Sequence, residues 1–244
     1  MPILSLDKVN LTIQDHHILK DISFDVEEGE VVGLIGPNGS GKTTLFNVLS
    51  GFLPASTGSI TFRDEDITKL IPSKRAHLGL GRVFQHFGIF RDMTLEENVM
   101  VAIDALPKKQ RALLGDMKDI VQETLEMATL TDHAKKKAGS LSGGQMRLLE
   151  IARTLKSGKE LFLLDEPTAG VSPKMTTQVA DIIKELKDEG KTVIIIEHDL
   201  PFISKICDRV VVLDVGNVVL EGPPDHVKKS KELCEIYFGA DPTT

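Results

Sequence analysis

The stretch Gly36-Pro37-Asn38-Gly39-Ser40-Gly41-Lys42-Thr43 constrains this chain more than any other. It fits G-x-x-x-x-G-K-[ST] and lies between an apolar run, Val31 to Ile35, and a helical pattern, Thr44 to Ser50. Strand, glycine loop and helix in that order make a cradle for phosphate. The glycines let backbone N–H groups turn inward, and the helix start adds partial positive charge. In such a cradle Lys42 reaches the outer phosphates and the Thr43 hydroxyl serves Mg2+.

The rest of the pattern agrees with an α/β fold, because short apolar runs alternate with helical periodicity. Leu161 to Leu164, Val193 to Ile196 and Val210 to Leu213 read as further core strands. Val179, Ile182, Ile183 and Leu186 mark one face of a helix that Gly190 closes. Ile3 to Ile13 and Ile18 to Val26 read as antiparallel strands around the turn Gln14-Asp15-His16-His17. The stretch from about 90 to 157 is helical in pattern, and Ala240 to Thr244 read as a loose tail.

Composition narrows the class. The chain has 244 residues and no apolar run near the ~18 residues that cross a bilayer. With no basic segment ahead of an apolar stretch at its start, it is expected in the cytosol, with any membrane role borrowed from a partner. A net charge of −7 argues against nucleic acid as a partner. Cys207 and Cys234 have no metal or redox spacing and read as buried thiols.

Two further segments carry chemistry. Leu161-Phe162-Leu163-Leu164-Asp165-Glu166 is an apolar strand ending in two acids, where α/β sheets bind ligands. Asp165 would hold Mg2+, and Glu166 would orient or deprotonate an attacking water. Leu141-Ser142-Gly143-Gly144-Gln145 stands before a helix whose face holds Leu148, Ile151, Ala152 and Leu155. A serine hydroxyl, two glycine amides and a helix dipole make a second anion site.

In combination these segments resemble the nucleotide-binding subunit of ABC transporters, over roughly residues 3 to 238. Gly36 to Thr43 is similar to the family's Walker A, Leu161 to Glu166 to its Walker B, and Leu141 to Gln145 to its signature. The resemblance makes Gln85 the Q-loop glutamine, which serves Mg2+ and the γ-phosphate, and His198 the switch histidine. It implies a P-loop NTPase core at about 3–86 and 158–222, with an N-terminal antiparallel β-subdomain. An α-helical subdomain is inserted at about 87–157, and helices follow at about 223–238. It also implies ATP held by Gly36 to Thr43 and Thr44 of one subunit and capped by Ser142, Gly143, Gly144 and Gln145 of another. Mg2+ would be held by Thr43, Gln85 and Asp165, and the catalytic set is Glu166, His198 and Gln85.

Two positions depart from the family. Ser172 stands where the D-loop usually has aspartate. Ile13 stands where an aromatic usually stacks on adenine, so the expectation is apolar packing on the base, with ATP preferred and GTP tolerated. Local strings, among them Gly81-Arg82-Val83-Phe84-Gln85 and Met93-Thr94-Leu95-Glu96-Glu97-Asn98-Val99, resemble the branched-chain amino acid importer ATPases. Lipopolysaccharide-export and urea-import ATPases share much of this pattern. The implied partners are membrane permease subunits, a second ATP-binding subunit and a solute-binding protein, with the chain peripheral on the inner face of the membrane. The segment from about Phe87 to Val99 would form the permease groove.

Other classes fit less well. A P-loop GTPase or small-molecule kinase leaves Leu141 to Gln145 unexplained, and no Asn-Lys-x-Asp motif occurs. Non-transport ABC ATPases usually carry a long coiled coil or tandem cassettes, and neither is present.

Overall fold

The computed structural model describes residues 2–84 and 88–238, without the side chains of residues 237 and 238. β1 (Pro2–Ile13) and β2 (His16–Glu27) form an antiparallel hairpin. Its turn is the pair Gln14-Asp15 rather than the four residues expected, because His16 and His17 already pair with Ile13 and Thr12. Gln14 has φ 47, the left-handed value that two-residue hairpin turns require.

β3 (Val31–Ile35) is buried throughout and leads through the glycine loop into α1 (Lys42–Leu49). Gly51 stops that helix as expected. Its φ is 80, and the Phe52 N–H returns to Asn47 O at 2.9 Å. β4 (Thr57–Phe62) pairs with β1, and β5 (Glu65–Asp66) extends that sheet.

α2 (Pro72–Leu78) contributes a buried cation. Arg75 donates to Leu70 O at 2.9 Å, Val48 O at 2.7 Å, Leu49 O at 2.8 Å and Thr68 O at 2.9 Å. It thus adds donors to the last carbonyls of α1, where Val48 O also accepts the Gly51 N–H at 3.1 Å. Burial lowers its guanidinium to about 10, so it stays charged at neutral pH. Arg75→Ala removes the side-chain donor from all four carbonyls and is expected to cost about 3 kcal/mol. Thermal unfolding should then show Tm lower by roughly 6–12 °C. Arg75→Lys should recover only part of the loss, since an ammonium cannot fork to four carbonyls.

β6 (Leu80–Val83) follows, and then come α3 (Leu95–Asp104), α4 (Lys108–Leu113), α5 (Met117–Met127) and α6 (Gly143–Leu155). α3 starts where Thr94 and Glu97 exchange side-chain and backbone bonds as a capping box. The chain returns to the sheet with β7 (Leu161–Asp165), α7 (Pro173–Asp188), β8 (Thr192–Ile196), α8 (Leu200–Ile206), β9 (Arg209–Asp214) and β10 (Asn217–Gly222). Two short helices, α9 (Pro224–Lys228) and α10 (Lys231–Phe238), end the described chain.

The larger sheet runs β10-β9-β3-β8-β7-β6, parallel except for β10 at its edge. Its strands read as continuous apolar runs because both faces are covered. Alternate residues serve the two cores. Leu161, Leu163, Ile194 and Ile196 pack with α1 and the smaller sheet. Phe162, Leu164, Val193 and Ile195 pack with α3, α5, α6 and α7. The architecture is the mixed α/β one expected from the sequence. Among the described residues no helix is long and apolar enough to cross a membrane. Cys207 and Cys234 are half-buried free thiols rather than fully buried ones, and burial pushes the Cys207 thiol above its ordinary range.

Candidate functional site

Strand order assembles the site. β8 lies between β3 and β7, with Leu34 opposite Ile196 and Asp165 opposite the same Ile196. The C-terminal ends of these strands therefore deliver the glycine loop, Glu197-His198 and Asp165-Glu166 to one edge. β6 lies beside β7 and leads toward Gln85. Gln85 itself lies outside the described residues.

The loop is shaped by what its glycines lack. A Cβ on Gly36 would stand 2.0 Å from Leu213 O, and φ there is 148. Gly41 has φ 107 and sits at the N-cap of α1. Lys42 is buried, and its Nζ donates to Gly36 O at 2.7 Å and Pro37 O at 2.8 Å. Two of its three hydrogens hold the loop, and the third remains for a phosphate. Burial lowers the Lys42 ammonium from its ordinary range, against the pull of Glu166 and Asp165. Ile18, Asn38, Gly39, Gly41, Lys42, Thr43, Thr44, Glu166 and His198 line a cleft of about 320 Å³. Gly36, Pro37 and Ser40 form the loop beside it, with Gly36 and Ser40 buried.

Ile13 is not among the cleft residues. It ends β1 at 42% exposure, and Ile18 of β2 is the aliphatic side chain that lines the cleft. The shorter turn adds His16 and His17 to β2, and Ile18 lies in that strand as the sequence suggests.

Glu166 follows β7 with φ 48, a strained value for a side chain with a Cβ. Its Oε1 lies 2.7 Å from His198 Nε2. Asp165 is buried. Arg82 Nη2 donates to its Oδ2 at 3.3 Å, while Oδ1 has no hydrogen-bond partner among the described residues. Burial raises the Asp165 carboxyl above the ordinary range, and Arg82 opposes that rise. The Ser40 hydroxyl is likewise buried without a partner among the described residues.

Ser142, Gly143, Gly144 and Gln145 sit elsewhere, at the start of α6, and none of them lines the cleft. Ser142 Oγ accepts from Gln145 N–H at 3.3 Å, and Gln145 Oε1 accepts from Ser142 N–H at 3.0 Å. The cap uses Ser142 Oγ as an acceptor, so its O–H stays free to donate. A Cβ on Gly144 would lie 2.2 Å from Met175 Sδ, which seats α6 against α7. Ser172 is the N-cap residue of α7, but its side chain accepts no hydrogen bond from the helix.

Sequence reasoning missed several residues that hold these groups. Glu197 is buried and accepts from Thr168 N–H at 2.8 Å and Thr168 Oγ1 at 2.6 Å, linking the loops after β7 and β8. Arg82 stacks over Phe84 at 4.7 Å from the ring centroid while it holds Asp165. The detectable signal was a charged residue inside or just after an apolar strand. His16, His17, His77 and His226 are exposed and His133 is half-buried, which matches their reading as surface or loop residues; His86 lies outside the described residues.

A phosphate cradle, a carboxylate beside it and an acid–histidine pair at the end of a parallel sheet define a P-loop nucleoside triphosphatase. The sequence profile described as ABC transporter matches residues 19–169. The chain is 34% identical to the high-affinity branched-chain amino acid transport ATP-binding protein LivG of Salmonella typhimurium, over 98% of each chain. It is also 34% identical to the lipopolysaccharide export system ATP-binding protein LptB of Escherichia coli, over 99% of each. Among solved structures, the ADP conformation of an ATP-binding cassette of an ABC transporter superposes with TM-score 0.85 at 33% identity, covering 98% of this chain and all of that one. This chain belongs to the ABC transporter family, and it is an ATPase subunit of that family.

Proposed function

We propose that this subunit powers import of branched-chain or related amino acids from the cytoplasmic face of a membrane, through permease subunits. The observation that carries the substrate class is the identity with LivG along nearly the whole of both chains. Export of a lipid is the second reading, favoured by the equal identity with LptB.

Two copies, or this chain and a similar one, meet head to tail. ATP on Gly36 to Thr44 of one is capped by the Ser142 hydroxyl and the amides of Gly143 and Gly144 of the other. The separation of the cleft from the start of α6 within one chain supports this arrangement. Ile18 supplies the apolar contact to the base in place of Ile13. Asp165 Oδ1 fits a magnesium ion, since a buried carboxylate oxygen without a partner among the described residues is a hard-cation ligand. Thr43 would hold it too, with Gln85, which lies outside the described residues, as the third ligand that the family resemblance implies. When bound, magnesium neutralises charge on the β- and γ-phosphates. Glu166 takes the proton of the attacking water, and His198, hydrogen-bonded to Glu166, holds it toward the γ-phosphate.

The permease meets the cassette at a second cleft of about 430 Å³, lined by Phe52, Phe84, Ala102 and Leu106 among others. Phe52 is 54% exposed there. That position differs from the groove expected between Phe87 and Val99. Val99 is fully buried, Ile89 packs on the helical core, Phe90 is largely exposed, and Phe87 lies outside the described residues.

Affinity purification from detergent-solubilised native membranes, with mass spectrometry, tests the proposal. A polytopic permease and a solute-binding protein should accompany the subunit, and loss of the subunit should abolish uptake of labelled leucine. A lipid-export permease would replace the substrate class. Soluble partners alone would end the transporter reading and leave the ATPase.

A further inference from the structure

α6 carries a buried row of charge that neither the cleft nor the signature cap uses. Arg147, Glu150 and Arg153 stand at three-residue intervals, and Arg147 and Glu150 are each 2% exposed. Arg147 Nη2 donates to Asp165 O at 2.6 Å and Glu166 O at 2.9 Å, and its Nε donates to Pro167 O at 3.3 Å. Its Nη1 donates to Phe84 O and to Glu150 Oε2, the latter at 3.1 Å. One guanidinium thus gathers three consecutive carbonyls, which requires the chain to turn sharply at the residue between. That residue is Glu166, with φ 48.

Glu150 orders the guanidinium in its turn. One carboxylate oxygen takes Arg147, and the other accepts the Gly88 N–H at 2.9 Å. Arg153 donates to Gly88 O. The same helix therefore grips Phe84 O on one side and both polar atoms of Gly88 on the other. Burial raises the Glu150 carboxyl, opposed by the Gly88 amide, Arg147 and Arg153. A core seeking stability alone is served as well or better by apolar side chains, because a buried ion pair must offset its desolvation.

We propose that Glu150 is a positioning residue for ATP hydrolysis. It fixes the fork of Arg147, and Arg147 fixes the turn that aims Glu166 into the cleft. The chain at Gly88 and the turn at Glu166 are thereby set by one buried pair. This rests on the reading of Glu166 as the base.

The test compares variants of the full-length purified subunit by kcat, ATP Kd and thermal stability. Glu150→Gln keeps the shape and an acceptor for Gly88 N–H, but weakens the hold on Arg147. Its kcat should fall about 10-fold, and that of Glu150→Ala about 10²-fold, with ATP Kd within about twofold in both. Arg147→Lys keeps the charge but loses the fork, and should show the same split between kcat and Kd. The double variant Glu150→Gln/Arg147→Lys should be no slower than the worse single variant, since both act through one turn. Where Glu150→Ala loses the fold, Glu150→Gln decides. Wild-type kcat in Glu150→Gln would overturn the proposal, as would kcat and affinity declining together with Tm. Glu166→Gln is measured alongside. If it is inactive while Glu150→Gln is normal, only the role of Glu150 falls. If it turns over normally, the role of Glu166 falls and that of Glu150 with it.

Discussion

Glu166→Gln is expected to bind ATP with near wild-type affinity and to lose kcat by about 10²–10⁴-fold. The amide keeps the shape of the side chain and can still meet His198 Nε2, now 2.7 Å from Glu166 Oε1. It cannot accept a proton from water. The left-handed backbone at residue 166 and the three carbonyls gathered by Arg147 are main-chain features, so the substitution leaves the turn in place. Phosphate release under single-turnover conditions measures the loss. Size-exclusion chromatography with ATP should show a dimer accumulating, because closure proceeds and reopening does not. Turnover surviving in this variant removes Glu166 as the base and moves attention to His198.

Lys42→Ala should act on the other side of the cycle, weakening ATP affinity by about 10²-fold, or about 3 kcal/mol. Lys42 is buried, and its ammonium joins the loop carbonyls of Gly36 and Pro37 to the place where phosphates sit. Removing it withdraws a charge-assisted donor from the nucleotide and two hydrogen bonds from the loop together. Equilibrium binding of a fluorescent ATP analogue gives the affinity, and a thermal melt without nucleotide separates loop damage from lost attraction. Unchanged affinity would mean that the loop amides alone hold the phosphates.

What could be read from the sequence followed how local the signal was. The loop from Gly36 to Thr43 is contiguous and carries its own strand and helix, so it was legible whole. The apolar runs at Leu161, Val193 and Val210 marked β7, β8 and β9 because both of their faces are buried. β6 has four residues, two of them Gly81 and Arg82, and did not stand out among the core strands. β10 alternates half-buried and exposed residues at the sheet edge, and it too was missed. Ile18 lines the cleft and Ile13 ends β1 outside it, a difference that the strand pattern alone does not show. α6 was legible as a helix with Leu148, Ile151, Ala152 and Leu155 on one face, and that face says nothing of Arg147 or Glu150. Both are buried, and they answer backbone groups from other segments, the carbonyls of Phe84 and Asp165 and the N–H of Gly88. No periodicity within the helix could announce partners of that kind.

The strand order has a consequence for how the molecule is made. β3 pairs with β8 on one side and β9 on the other, and the backbone of Gly36 nests against Leu213 O. A chain leaving the ribosome N-terminus first carries its whole glycine loop long before either neighbouring strand has been synthesised. Contacts of such long range form late and slow the folding of what depends on them. The nascent chain therefore cannot complete its nucleotide cradle until synthesis has passed Leu213, so ATP gives no foothold to the segments made before it.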